Sequence, residues 1–230
     1  SGTCAIWVVT SSSSRRGLRT TGRRPEAADA MLIFHEARLV VFSIPRTGST
    51  SLHGALREKA DIEISDPPAK KHMTVRRFET WAEGRGEVAA YTRVAIMREP
   101  LARIASWYRY RRRDAVRGTE MSAEAYSFDA YVDLIFSDDP PPLARVGNQH
   151  RFLSRKGGGL GVDEILCLER TDVLSDFFKG YFSDFRMRHR NAAPLEPFDL
   201  TEDREERLRA ERAEEFALFE RVAETGRLTL

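Results

Sequence analysis

Cysteine, lysine and long apolar runs are all scarce in this chain. Its two cysteines among 230 residues, Cys4 and Cys167, offer neither a disulfide framework nor a metal-ligand spacing. Such cysteine use fits a reducing compartment, and the expected location is cytoplasmic. No apolar run approaches the roughly 20 residues that cross a bilayer as a helix, so no membrane span is expected. Excess charge is small as well, +2 at pH 7. Residues 1–30 hold five Arg against Glu26 and Asp29, which leaves the other 200 residues at −1. The sequence pI of about 8.6 therefore belongs to the leader, and a general attraction for nucleic acid is not indicated. What is present is a globular mixture, 41% hydrophobic and 31% charged, in a length that suits one α/β domain.

Ser1 to Ala30 reads as a poorly ordered leader. It is Arg- and Ser-rich and acid-poor, which resembles a transit peptide. An appended or upstream-translated segment, with Met31 as the natural start, is the plainer reading. Residues 31–230 then form the single domain. Within it, Leu39-Val40-Val41-Phe42-Ser43-Ile44 is a nearly continuous apolar run, as expected of a strand covered on both faces. Val94-Ala95-Ile96-Met97 and Ile165-Leu166-Cys167-Leu168 repeat the pattern. Each run is followed by a helical pattern: Leu52, Ala55 and Leu56 up to about Lys59; a stretch starting near Leu101; and one through Phe182, with Thr171 as its expected N-cap. Ser127 is placed to cap a helix carrying Phe128, Tyr131, Val132 and Ile135. A last helix opens at Thr201 and runs to about Glu224. Strands alternating with helices predict a three-layer α/β fold, P-loop-like, with a mainly parallel sheet between helices.

Pro45-Arg46-Thr47-Gly48-Ser49-Thr50-Ser51 lies where the first predicted strand gives way to a helix. A helix N-terminus supplies unpaired N–H groups and a positive dipole that suit an anion. Gly48 lets the backbone curl closely, the hydroxyls of Ser49, Thr50 and Ser51 can donate, and Arg46 adds a charged fork. The same residues also suit an ordinary capped helix. The Mg²⁺-dependent phosphate loop GxxxxGK[ST] is a poor match, because here the cation precedes the glycine and Ser49 follows it. A nucleotide kinase or other NTPase is thereby disfavoured.

The segment closely resembles the 5′-phosphosulfate loop of sulfotransferases that use 3′-phosphoadenosine 5′-phosphosulfate, a family that usually has Lys where this chain has Arg46. Arg98-Glu99-Pro100, followed by Ser106 before Trp107, is similar to the family's 3′-phosphate element. The resemblance spans roughly Leu39 to Val222 and is nearest to bacterial and carbohydrate-type members, including uronyl 2-O-sulfotransferases. Asn148-Gln149, Leu168-Glu169 and His189-Arg190-Asn191 resemble further family segments. The resemblance implies that Arg46, Thr47, Gly48, Ser49, Thr50 and Ser51 hold the 5′ end of the donor. It gives Arg98 and Ser106 the 3′-phosphate, and it places Asn191 near the nucleotide. It also implies adenosine 3′,5′-bisphosphate as product, a mechanism without a metal, and an acceptor that carries a hydroxyl. Arg98 could instead pair with Glu99 or another acid.

Transfer to a hydroxyl needs a base. His72, in Lys70-Lys71-His72-Met73-Thr74, occupies a position resembling the family's catalytic histidine, and histidine titrates near neutrality. A solvent-exposed loop histidine beside two lysines is the alternative. Glu58, Glu63 and Glu79 are worse placed, and His35, His53, His150 and His189 have no stronger claim. Arg109, Arg111, Arg112, Arg113 and Arg117 admit three readings: recognition of an acidic glycan acceptor, a nucleic-acid contact that matches no known module, or a solvated helix face. A non-catalytic protein that keeps only the nucleotide site stands beside the enzyme reading.

Overall fold

The structure, a computed structural model, describes residues 30–65, 72–187 and 198–230. The apolar run from Leu39 forms β2 (Leu39–Val41) and continues as buried chain through Phe42, Ser43 and Ile44. The other two runs form β4 (Thr92–Met97) and β5 (Glu164–Cys167). Three short strands that the sequence did not announce, β1 (Met31–Phe34), β3 (Ile62–Ile64) and β6 (Arg227–Thr229), complete a six-stranded sheet in the order β3-β1-β2-β4-β5-β6.

The expectation of a mainly parallel sheet is corrected to a mixed one. β2, β4 and β5 are parallel, whereas β1, β3 and β6 join antiparallel. For β1 connection length is the reason: four residues separate it from β2, whereas a parallel crossover takes about a dozen residues or more.

Helices cover both faces of the sheet. Leu52 and Leu56 of α1 (Ser49–Leu56) and Leu174 and Phe178 of the helix Thr171–Tyr181 pack against Leu39, Val94, Ile96 and Leu166. On the other face, α2 (Val75–Ala82), the short helix Gln149–Leu153 and the C-terminal helix Ala213–Thr225 bring Phe78, Leu153, Leu218 and Val222 against Ile33, Val40, Ala95 and Ile165. Alternate residues of each strand thus feed opposite cores, which is why the runs read as continuous rather than alternating. A third apolar cluster, around Ile104, Tyr108, Tyr131, Leu208 and Phe216, contains no strand residue. In chain order the remaining helices are α3 (Gly86–Ala89), α4 (Pro100–Arg111), α5 (Phe128–Ile135), α6 (Gln149–Leu153), α7 (Thr171–Tyr181), α8 (Glu202–Glu211) and α9 (Ala213–Thr225). Among the described residues, no helix is long and apolar enough to cross a membrane.

Local signals hold in part. Ser127 caps α5, its Oγ accepting from the Ala130 N–H at 3.1 Å. Thr171 is the first residue of α7 rather than its cap, which is Arg170. The final segment is two helices, not one. Arg212 leaves helical geometry at φ −122° and buries its guanidinium, donating to the Gly147 carbonyl at 2.8 Å and to Glu215 at 3.1 Å.

Glu215 is 1% exposed, so its loss strands a buried guanidinium. Glu215→Ala is expected to lower stability by about 3–5 kcal/mol, read from the midpoint of urea unfolding, whereas the exposed Arg221→Ala stays within about 0.5 kcal/mol.

Candidate functional site

Parallel pairing of β2 with β4 and of β4 with β5 brings three strand ends to one edge. Open α/β sheets bind their ligands at such an edge. The 45–48 turn, Arg98 and Glu169 all emerge there.

The turn holds uncommon backbone conformations. Arg46 has φ +70° and Gly48 φ +75°. A residue with a side chain in the left-handed region costs on the order of 1 kcal/mol and persists only where its surroundings enforce it. Two hydrogen bonds do so: Arg98 Nη1 donates to the Arg46 carbonyl at 3.4 Å, and Thr47 Oγ1 donates to the Ile44 carbonyl at 3.0 Å. The Thr47 hydroxyl is thus used by the turn itself. Gly48 is the N-cap of α1, with no side chain capping that helix. Ser49, Thr50 and Ser51 lie inside the helix instead of preceding it as caps. The first turn of α1 therefore presents its amides and positive dipole end to the edge.

The two expected anion elements meet. Arg46 Nε donates to Ser106 Oγ at 3.1 Å, and its guanidinium carbon lies 4.7 Å from the Tyr110 ring centre. Arg98 crosses in the opposite direction, to the Arg46 carbonyl. Ser106 is buried at the inner side of α4, and Arg98 is largely buried. Desolvation lowers the Arg98 pKa, partly opposed by Glu169 and Glu99. Its nearest carboxylate is Glu169, 4.0 Å from Nε. Glu99 is occupied as the cap of α4, accepting from the Leu101 N–H at 3.1 Å.

Gln149 has a larger role than its sequence likeness suggested. It is fully buried, accepts from the Arg98 N–H at 3.0 Å and donates to the Arg98 carbonyl at 2.8 Å. Its own N–H donates to Glu215 at 2.9 Å. One amide side chain thus fixes the backbone of Arg98, anchored in turn by a buried carboxylate on α9. Nothing in the local sequence marks this, because the partners are 51 and 66 residues away.

His72 is held at the base of the turn. Its Nδ1 lies 2.7 Å from the Ser43 carbonyl oxygen and 3.5 Å from Ser43 Oγ. A carbonyl only accepts, so Nδ1 carries the proton, and in the neutral ring the lone pair sits on Nε2. The ring is half-buried rather than a free loop side chain. The other described histidines are engaged elsewhere: His35 with Tyr91 at 2.9 Å, His53 with Glu63 at 3.2 Å, and His150 with Glu214 at 3.4 Å. Glu79 pairs with Arg93 and Arg155 at 3.2 and 3.4 Å. Asn191, His189, Arg190, Lys70 and Lys71 lie outside the described residues.

The arginine-rich stretch after Ser106 is mostly structural. Arg111 is buried and donates to the Leu143 carbonyl at 3.2 Å. Arg112 stacks over Tyr108 and Arg113 over Tyr110, at 5.1 and 3.7 Å, while Arg117 pairs with Asp114 and Glu124. Among the described residues, no three His, Cys, Asp or Glu side chains come together as a metal site. Comparison of the chain with protein-family models, with curated proteins and with solved structures finds no match in any of the three.

Two glycines of the same region are expected to respond oppositely to alanine. At Gly48 the new Cβ falls 2.6 Å from Leu168 Cδ1, which a flexible side-chain end can relieve, but φ +75° remains unfavourable. Gly48→Ala should therefore destabilise by about 1–3 kcal/mol. Gly54, within α1 and with open space around it, should gain about 0.5–1 kcal/mol as alanine. Thermal unfolding of the two variants checks both signs.

Proposed function

We propose that this chain is a sulfotransferase with a P-loop-like fold, moving a sulfuryl group from 3′-phosphoadenosine 5′-phosphosulfate to an acceptor hydroxyl. The observation that carries the reading is the crossing of Arg46 and Arg98. Each guanidinium reaches the other's element, so a single edge presents two cationic groups, the Ser106 hydroxyl and the uncapped start of α1. A donor with anionic groups at its 5′ and 3′ positions matches two such elements, whereas a nucleoside triphosphate has all its phosphates at one end.

In this reading the first turn of α1 and the hydroxyls of Ser49 and Thr50 bind the 5′ end. Arg98 and Ser106 bind the 3′-phosphate. Arg46 neutralises charge that develops on the bridging oxygen as the S–O bond breaks. Its bond to Ser106 links the two elements. His72 accepts the acceptor's proton at Nε2 as the new O–S bond forms, and adenosine 3′,5′-bisphosphate leaves. A histidine oriented by a carbonyl at the base of the turn favours an enzyme over a protein that only binds the nucleotide. The buried free thiol of Cys167 accords with a cytoplasmic setting.

Calorimetric titration tests the donor class. The chain should bind adenosine 3′,5′-bisphosphate in preference to AMP and ATP. Arg98→Ala should cut the preference over AMP by about ten- to a hundredfold, the worth of hydrogen bonds to a charged group. Equal affinity for AMP and the bisphosphate would refute the reading. For the base, His72→Ala should lower labelled sulfuryl transfer to hydroxyl acceptors by roughly 10²–10⁴-fold, with bisphosphate affinity held. Unchanged transfer removes His72 from the chemistry.

A further inference from the structure

The Arg46 guanidinium meets α4 at two points that lie one helical turn apart. Ser106 Oγ accepts from its Nε at 3.1 Å, and the Tyr110 ring centre lies 4.7 Å from its carbon. Residues four apart share one face of a helix, so Ser106 and Tyr110 form a single seat. The hydroxyl takes one N–H and the ring takes the charge. A planar fork that stacks and donates at once is a property of arginine, so the seat suits it better than lysine.

The ring is itself braced. The Arg113 guanidinium carbon lies 3.7 Å from its centre, and Arg113 Nε donates to the Tyr110 carbonyl at 3.3 Å. Trp107 meets the ring edge-on, at 5.7 Å and an interplanar angle of 83°. Arg111, which is buried and bonded to the Leu143 carbonyl, is 5.6 Å away. Three guanidinium groups thus border one half-buried tyrosine in the last turn of α4. Like charges this near repel, and the electron-rich face of the ring offsets that repulsion. A long side chain also loses rotamer freedom when it is held, and Arg46 leaves a backbone in the left-handed region, φ +70°. A seat assembled before the ligand arrives removes that ordering cost from binding.

We infer that Tyr110 is the positioning residue of the anion edge, its ring holding the Arg46 guanidinium ready for the 5′ end of the donor. The inference rests on the sulfotransferase reading for the identity of that donor. Tyr110 touches no reacting atom; it acts through Arg46. The ring face does this and not the hydroxyl, so phenylalanine serves in its place. Arg113 has a part as the brace of the ring, one step further from the ligand.

Calorimetric titration of the full chain with adenosine 3′,5′-bisphosphate reads the effect. Tyr110→Leu should weaken binding by about three- to thirtyfold, the range expected on losing a partly desolvated cation–π contact. Tyr110→Phe, which keeps the ring, should stay within about twofold of the unmodified chain. Arg46→Ala combined with Tyr110→Leu should bind no more weakly than Arg46→Ala alone, because the ring acts only through that guanidinium. Losses that add, or a Tyr110→Leu variant that binds like the unmodified chain, overturn the inference. Tyr110→Met carries the same cycle if the leucine variant does not fold. A second readout needs no ligand. In isotope-labelled protein the Arg46 side-chain resonances, assigned by their loss in Arg46→Ala, should be displaced upfield by the ring current. Tyr110→Leu should remove that displacement and Tyr110→Phe should keep it. Its absence in a chain that binds the bisphosphate overturns the role of Tyr110 and leaves the donor reading standing. A chain that shows the displacement yet ignores the bisphosphate overturns the donor reading, and with it the positioning role, leaving only a packing contact.

Discussion

With Val41 opposite Val94 and Met97 opposite Cys167, the three parallel strands finish at a common edge. That alignment brings residues distant in the chain together: the 45–48 turn leaves β2, Arg98 leaves β4, and Glu169 follows β5. Were β4 antiparallel to β2, Arg98 and Ser106 would emerge at the opposite edge, about 20 Å away for a six-residue strand. The antiparallel strands β1, β3 and β6 extend the sheet on either side of these three.

Much of the site's precision comes from buried polar contacts rather than from surface charge. Gln149 holds Arg98 by both backbone groups, and Glu215 holds Gln149 while neutralising Arg212. Such networks contribute little net stability, since desolvation offsets most of the attraction. Their effect is geometric. They set the direction in which Arg98 leaves β4, and through its contact with the Arg46 carbonyl they support a backbone conformation that arginine seldom adopts. The break between α8 and α9 belongs to the same network, because Arg212, the residue at that break, donates to Gly147 and Glu215.

The three parallel strands, the helices that follow them and the cap at Ser127 were legible because each has a local cause, an apolar run or a hydroxyl at a helix start. The turn at 45–51 and Arg98 stood out for a similar reason, since residues of those types in that order suit an anion. β1, β3 and β6 were not. β3 and β6, Ile-Glu-Ile and Arg-Leu-Thr, carry no continuous apolar run and are stabilised by their neighbours rather than by any pattern of their own, while β1 is an apolar run of only four residues beside the leader. His72 could be named but not oriented, because its tautomer depends on a carbonyl 29 residues earlier.

Residue type and order alone determined that this chain builds a layered α/β domain and that two anion-suited turns follow successive parallel strands, because hydrophobic periodicity and backbone capping act over a few residues. Only the tertiary structure decided that Arg46 and Arg98 cross, that Gln149 clamps one of them, and that the arginines of 109–117 stack on aromatic rings while Arg103 and Arg151 border a cavity. Those outcomes depend on desolvation and on partners tens of residues away, quantities that exist only once the sheet has brought its strand ends together.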